Sequence, residues 1–118
     1  MEKAEKKNLA TPDETRNFPN GKLELVNMGG WTIGKTTFEP GWKWSTSIKP
    51  IAKTESCQVH HMIYALSGRM HLAMDDGTTF EIGPGELVNI PPGHDGWVLG
   101  DEPCVALDFS GAKNYATK

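Results

Sequence analysis

The 118-residue sequence has no long apolar run, no block of like charge and only two cysteines. Because no stretch of about 18 apolar residues occurs, we expect no membrane-spanning helix. The net charge of -3 is spread along the chain, which argues against nucleic acid and anionic membranes as partners. Residues 1–7 lack the apolar segment of a secretion signal, and we therefore expect a cytoplasmic protein.

The two cysteines, Cys57 and Cys104, could form one disulfide. In a chain without a secretion signal, such a pair is more often two thiols. Cys104 lies in an apolar segment and is interpreted as a small buried strand residue. Cys57 has polar neighbours, so two interpretations stay open for it: a buried thiol, or a metal ligand.

The sequence also lacks a sustained 3.6-residue apolar stripe, which predicts that there is no long helix. It has instead 13 glycines and 8 prolines, which end short apolar alternations from Lys22 onward. Residues 1–20 are rich in Lys, Glu, Asn, Thr and Pro and are predicted to form a mobile or loosely docked arm. Residues 21–118 are expected to form a single domain.

The central region predicts a series of short strands joined by tight turns. Asp75-Asp76-Gly77 is a hairpin signal, and Gly83-Pro84-Gly85 is a second turn. Strands are predicted at 61–66, 69–74, 78–82, 87–90, 97–99 and 104–109. With those nearer the N-terminus they number about eight to ten, which is typical of an all-β sandwich or small barrel.

Four landmarks in the same region resemble a known family. They are Tyr64-Ala65-Leu66-Ser67-Gly68, Asp76-Gly77, Gly83-Pro84-Gly85-Glu86 and Ile90-Pro91-Pro92-Gly93-His94, and their order and intervals are similar to those of cupins. The resemblance covers roughly residues 35–109. It implies a double-stranded β-helix, which is a small conical β-barrel of two antiparallel sheets with the ligand site at its wide end. It also implies a homodimer.

In cupins, the first motif has two histidines separated by one residue, and a glutamate seven residues before the glycine of a strand bend. Seven residues before Gly68 this sequence has His61, and the earlier positions hold Cys57 and Glu55. If this segment is a regular strand, these three side chains share one face. His94 precedes by two residues the position of the family's last histidine. The resemblance therefore implies a metal site of Cys57, His61 and His94, with Glu55 as a fourth ligand or base.

The metal expected at such a site is a divalent transition metal: Fe, Mn, Zn, Ni or Cu. Trp97, three residues after His94, and Trp44 are predicted to bind substrate, although aromatic residues in so small a barrel also serve as core. Two functions follow. One is a metal-dependent enzyme acting on a small molecule, with dioxygenase, isomerase, decarboxylase and lyase chemistry all open and no catalytic residue assigned. The other is a non-catalytic binding or sensor barrel.

Overall fold

The computed structural model describes residues 3–112 and Tyr115. This part of the chain contains nine strands and two four-residue helices, none of them long and apolar enough to cross a membrane. The elements are β1 (Glu14–Phe18), β2 (Gly21–Met28), β3 (Trp31–Phe38), α1 (Trp44–Ser47), α2 (Lys49–Ala52), β4 (His61–Ser67), β5 (Arg69–Met74), β6 (Thr79–Ile82), β7 (Leu87–Ile90), β8 (His94–Leu99) and β9 (Cys104–Asp108).

The strands form two antiparallel sheets, which confirms the all-β class. One sheet has six strands in the order β1-β2-β3-β9-β4-β7, and the other has three in the order β6-β5-β8. Inward and outward residues alternate along strand β9, where Cys104, Ala106 and Asp108 are buried while Val105 and Leu107 are half-buried. The inward side chains of both sheets form one apolar core around a central space.

Several strand boundaries match the sequence prediction, and β5 and β7 match it at both ends. Strand β8 begins at His94, three residues before the predicted start. The extra length comes from pairing with β5, where Met74 lies opposite His94 and Leu72 opposite Gly96. His94 also pairs on its other side with Cys57 through an isolated bridge. The Cys57 N–H donates to the His94 carbonyl at 2.7 Å. Pairing between residues so far apart in sequence leaves no local signal.

The predicted arm over residues 1–20 is shorter in the structure. Glu14–Phe18 form the edge strand β1, which pairs with β2 over its whole length, and the Phe18 side chain is buried. Lys7, before β1, is also attached, because its Nζ donates to the Asn27 carbonyl at 2.7 Å. An edge strand needs only one buried face, so the polar composition of this segment concealed it.

Gly68 lies between β4 and β5, where the chain passes from one sheet to the other, and its substitution tests how closely this corner is packed. Its φ is +75°, and a Cβ there would lie 2.6 Å from Cys104 Cα and closer still to the Pro103 carbonyl oxygen. We expect Gly68→Ala to lose roughly 1–2 kcal/mol from the backbone conformation and about 1–3 kcal/mol more from the contact, measured by urea unfolding.

Gly100 provides the matched control for Gly68. Its φ is +79°, but a Cβ there would have no atom within 4 Å. Gly100→Ala should therefore show only the backbone loss of about 1–2 kcal/mol. Equal losses in the two variants would contradict close packing at Gly68.

Candidate metal centre

A cavity of about 50 Å³ lies between the two sheets. Its wall is mostly apolar, with Phe38, Met70 and Ile90 among the residues that line it. The polar side chains in the wall are Thr36, His61, His94, Asp108 and Tyr115. A space of this size has room for a few waters or a small organic molecule.

Three side chains able to bind a metal meet beside this cavity: Cys57, His61 and His94 are all buried, and their ligand atoms lie within 4.8 Å of one another. The distance from Cys57 Sγ to His61 Nε2 is 3.6 Å. Bonds of 2.3 Å to sulfur and 2.0 Å to nitrogen in a tetrahedral zinc site separate the two ligand atoms by about 3.5 Å. The spacing of Cys57 and His61 therefore already suits a bound metal ion, and the cluster as a whole could hold one.

Backbone pairing from three parts of the chain brings these side chains together. His61 is the first residue of β4, where it pairs with Ile90 of β7. His94 is the first residue of β8, and Cys57 is held to it by the bridge described above. His94 therefore reaches the same centre as His61, although it lies two residues before the histidine position usual in the family.

Hydrogen bonds define the tautomers of both histidines. His61 Nδ1 lies 2.5 Å from Asp108 Oδ2, and His94 Nδ1 lies 2.8 Å from the Pro91 carbonyl oxygen. A carboxylate and a carbonyl only accept hydrogen bonds, so Nδ1 carries the proton in each ring. When the ring is neutral, each Nε2 then has the lone pair that a metal requires, and that of His61 faces the Cys57 sulfur at 3.6 Å.

Asp108 is the residue of this site that the sequence did not indicate. Its Oδ1 accepts hydrogen bonds from the Ser110 and Gly111 N–H groups. Burial acts to raise the pKa of Asp108, but the hydrogen bond and charge of His61 and the two backbone donors hold it below its usual value. The one available signal was a charged residue at an inward position of the apolar strand 104–108.

In the metal-free protein, burial also shifts the pKa values of Cys57 and His94. It raises the pKa of the Cys57 thiol to about 11, with smaller contributions from neighbouring charges and hydrogen bonds. It lowers the pKa of His94 to about 4. At neutral pH, His94 therefore has a free nitrogen, whereas Cys57 must lose a proton before it can bind a metal.

Glu55 does not belong to the cluster. Its side chain is 97% exposed and forms an ion pair with Lys49 at 3.1 Å. The expected strand alternation fails because β4 begins only at His61, and the adjacent Ser56 and Cys57 are both buried. The segment before β4 turns instead of running straight, so residues two apart do not share a face.

The two predicted substrate-binding tryptophans lie on opposite sides of the wall. Trp44 lines the cavity and is buried. Trp97 does not line it, because inward and outward positions alternate along β8 and Trp97 is one position from the inward Gly96. Its ring stacks on His71 at 4.6 Å, with Lys43 Nζ 5.2 Å from the ring centroid.

Trp42 is a second cavity-lining tryptophan, and Lys43 between the two tryptophans is extended with φ −145° and ψ 133°. This alternation directs Trp42 and Trp44 inward and Lys43 outward. Neither indole Nε1 has a hydrogen-bond partner among the described residues. An unpaired buried donor costs about 1–3 kcal/mol. The indole of Trp44 is close enough to Cys57 to lower the pKa of that thiol slightly.

Cys57, His61 and Asp108 also have the order of a nucleophile, a base and an orienting carboxylate. The raised pKa of the Cys57 thiol opposes this use, since nucleophilic cysteines have lowered pKa values. His94 has no role in such a triad, whereas in a metal site it supplies the third ligand. The arrangement is therefore better suited to metal binding.

No protein-family model matches the chain, and no curated protein matches it by sequence. Solved structures do resemble it. The polyketide cyclase RemF from Streptomyces resistomycificus is 20% identical with a TM-score of 0.65, and the match covers 93% of this chain and 80% of that one. A cupin-like protein from Thermotoga maritima is 17% identical with a TM-score of 0.55, over 80% and 71% of the two chains.

The oxalate decarboxylase of Bacillus subtilis is 21% identical with a TM-score of 0.60, and the match covers 87% of this chain but only 29% of the enzyme. At these identities the similarity is one of fold. Together with the two antiparallel sheets and the order of the sequence landmarks, it establishes that this chain has the cupin fold.

Proposed function

We propose that the protein binds a divalent transition metal through Cys57, His61 and His94 and a small organic molecule in the adjacent cavity. One observation carries the proposal: both histidines have Nδ1 engaged by an acceptor, which leaves Nε2 as the ligand atom of each ring, close to the Cys57 sulfur. A histidine that served only packing would have no need of a free lone pair next to a second histidine and a thiol.

The donor set favours zinc or copper among the candidate metals. Thiolate and imidazole ligands suit Zn and Cu, whereas Mn is usually bound by carboxylates and water. Asp108, the carboxylate that contacts His61, also accepts hydrogen bonds from two backbone N–H groups. We therefore expect the preference of the site to be zinc or copper over manganese.

Three protein ligands leave a coordination position for water or substrate, which is the pattern of catalytic metal sites. When bound there, a metal would polarise a substrate oxygen or lower the pKa of a bound water. The likeness in fold to a polyketide cyclase and an oxalate decarboxylase supports an enzyme of small-molecule metabolism. Dioxygenase, isomerase, decarboxylase and lyase chemistry all remain candidates.

Metal analysis tests the proposal directly. The full chain, purified without chelator and reconstituted separately with Zn, Cu, Ni, Fe and Mn, should retain close to one equivalent of zinc or copper and much less manganese. Glu55→Ala is the matched control, since its exposed carboxylate lies outside the cluster, and it should bind as the parent does. Metal content well below one equivalent for every ion would overturn the proposal.

The pH dependence of zinc binding follows from the Cys57 thiol. Its pKa of about 11 keeps it protonated at neutral pH, so zinc must displace one proton, and raising the pH favours binding. Between about pH 7 and 8 we expect roughly one proton released per zinc and about a tenfold gain in affinity per pH unit. Titration in two buffers of different ionisation enthalpy measures the proton release, and a value near zero would contradict thiolate ligation.

The second candidate function is a non-catalytic barrel that binds a small molecule. The mostly apolar cavity wall favours it. Coordination distinguishes the two functions: zinc with an exchangeable water supports an enzyme, whereas a filled coordination shell, or no metal, supports a binding module. Cobalt substitution followed by visible spectroscopy with and without azide would detect the exchangeable position.

We also propose a homodimer, as the resemblance in sequence implies. Strand β7 is an edge of the six-stranded sheet, and its Leu87 side chain is 70% exposed. Unpaired edges favour association with a second copy. Light scattering after size-exclusion chromatography should give twice the mass of one 13.0 kDa chain, and a monomer mass across the micromolar range would contradict this.

A further inference from the structure

The indole N–H of Trp42 is a buried donor that the fold itself does not use. The Trp42 side chain is 3% exposed, lines the cavity, and has no acceptor for Nε1 among the described residues. Buried tryptophans usually find an acceptor for this group, and phenylalanine would occupy the same wall without a polar atom. The unpaired donor therefore needs an explanation beyond packing.

The position of Trp42 is well defined, which opposes a change of rotamer that would give its indole N–H an acceptor. Its ring packs on Phe38 with centroids 4.3 Å apart. Its backbone is also engaged on both sides, because the Trp42 N–H donates to the Glu39 carbonyl at 3.0 Å and the Trp42 carbonyl accepts from Val98 at 3.0 Å. The indole is held in the wall of the cavity with its donor unpaired.

Trp44 differs from Trp42 in one respect. Its Nε1 also lacks a hydrogen-bond partner of ordinary geometry, but the Cys57 sulfur is a neighbouring weak acceptor, since the indole slightly lowers the pKa of that thiol. For Trp42 the described chain provides no such acceptor.

We propose that Trp42 Nε1 donates a hydrogen bond to an oxygen of the small molecule in this cavity, and so selects carbonyl or carboxylate compounds with an apolar body. This inference rests on the proposed function in that the same cavity holds the ligand. The apolar part of the ligand contacts residues such as Ile63, Met70 and Ile90 of the wall. A molecule without an acceptor oxygen would leave the Trp42 donor unpaired and bind less well.

Indole resonances give a direct test in the full chain. Four tryptophans give four indole N–H signals in a ¹⁵N-labelled sample, which Trp→Phe variants assign. Acetate supplies a carboxylate, acetone a neutral carbonyl of similar shape, and methylammonium has no acceptor. Each is titrated into metal-free and zinc-loaded protein. Trp31, which is exposed, and Trp97, on the outer side of the barrel, serve as internal references.

We expect acetate or acetone to move the Trp42 indole proton downfield in a saturable way and methylammonium to leave it unmoved. A shift with acetate alone would indicate recognition of a carboxylate, and a shift with acetone would indicate recognition of a neutral carbonyl. Trp42→Phe should weaken the effective probe by about three- to tenfold, followed through the Trp44 signal. Trp97→Phe, which removes an indole outside the cavity, is the matched control and should bind the probe as the parent does.

A Trp42 signal that responds to neither oxygen probe, in both metal-free and zinc-loaded protein, would overturn the inference. A response to methylammonium equal to that of acetate and acetone would overturn it as well. The zinc content of the same samples is measured separately. One equivalent of zinc with an unshifted Trp42 signal would refute the hydrogen bond from Trp42 and leave the metal proposal intact. A shifted Trp42 signal in protein that binds no zinc would support the hydrogen bond and refute the metal proposal.

Discussion

Cys57→Ala is expected to lower zinc affinity by roughly 10²–10³-fold. Zinc binding to structural sites is worth about 10–16 kcal/mol over four ligands, so one ligand accounts for about 2.5–4 kcal/mol. Cys57 supplies the only sulfur of the cluster, and its Sγ lies 3.6 Å from His61 Nε2. Competition with a chromogenic chelator measures the change.

Cys104→Ala is the matched control for the loss of a buried sulfur. Both cysteines are 2% exposed, and burial raises the pKa of Cys104 to about 11 as it does for Cys57. The two variants should therefore lose similar unfolding free energy as metal-free proteins, while Cys104→Ala keeps the zinc affinity of the parent. Equal zinc affinities for the two variants would show that Cys57 is not a zinc ligand.

Asp108→Asn is the second large effect, and we expect a 10- to 100-fold loss of zinc affinity although Asp108 is not a ligand. The asparagine oxygen can still accept from Ser110 and Gly111, but its NH₂ group then faces His61 Nδ1. That nitrogen must become the acceptor, so the proton moves to Nε2 and blocks the lone pair that would bind zinc. The effect is therefore on the tautomer of His61.

A spectroscopic readout separates this positioning role from general damage to the fold. Long-range ¹H–¹⁵N spectra of the metal-free protein should show His61 protonated at Nδ1 in the parent and at Nε2 in Asp108→Asn. The control is Asp95→Asn, because Asp95 Oδ1, in strand β8, likewise accepts from two backbone N–H groups, those of Ser45 and Gly96. An unchanged His61 tautomer in Asp108→Asn would contradict the mechanism.

Local patterns in the sequence were enough for much of the fold. Alternation and glycine-containing turns placed β5 and β7 at their observed bounds, because short strands between tight turns leave a signal within a few residues. The order of the landmarks predicted the cupin fold, which the structural similarities bear out. The same spacing singled out Cys57, His61 and His94 as candidate ligands, and the structure brings them together.

Other features depended on contacts between distant residues. Regular strand alternation predicted that Glu55 would join the cluster, but the chain turns before β4 and leaves its carboxylate in solvent. Proximity to His94 suggested Trp97, but the pleat of β8 directs that ring outward onto His71. Asp108 is 47 residues from His61 in sequence, and only the pairing of β4 with β9 joins the two.

The sequence by itself determined most of the strands, their turns and the kinds of side chain available for a site, because these follow from interactions within a few residues. Tertiary structure alone decided which of those side chains meet. The bridge between Cys57 and His94, the hydrogen bond from His61 to Asp108 and the unpaired indole of Trp42 each arise where separate strands close the barrel. Burial there also sets the pKa values on which metal binding depends.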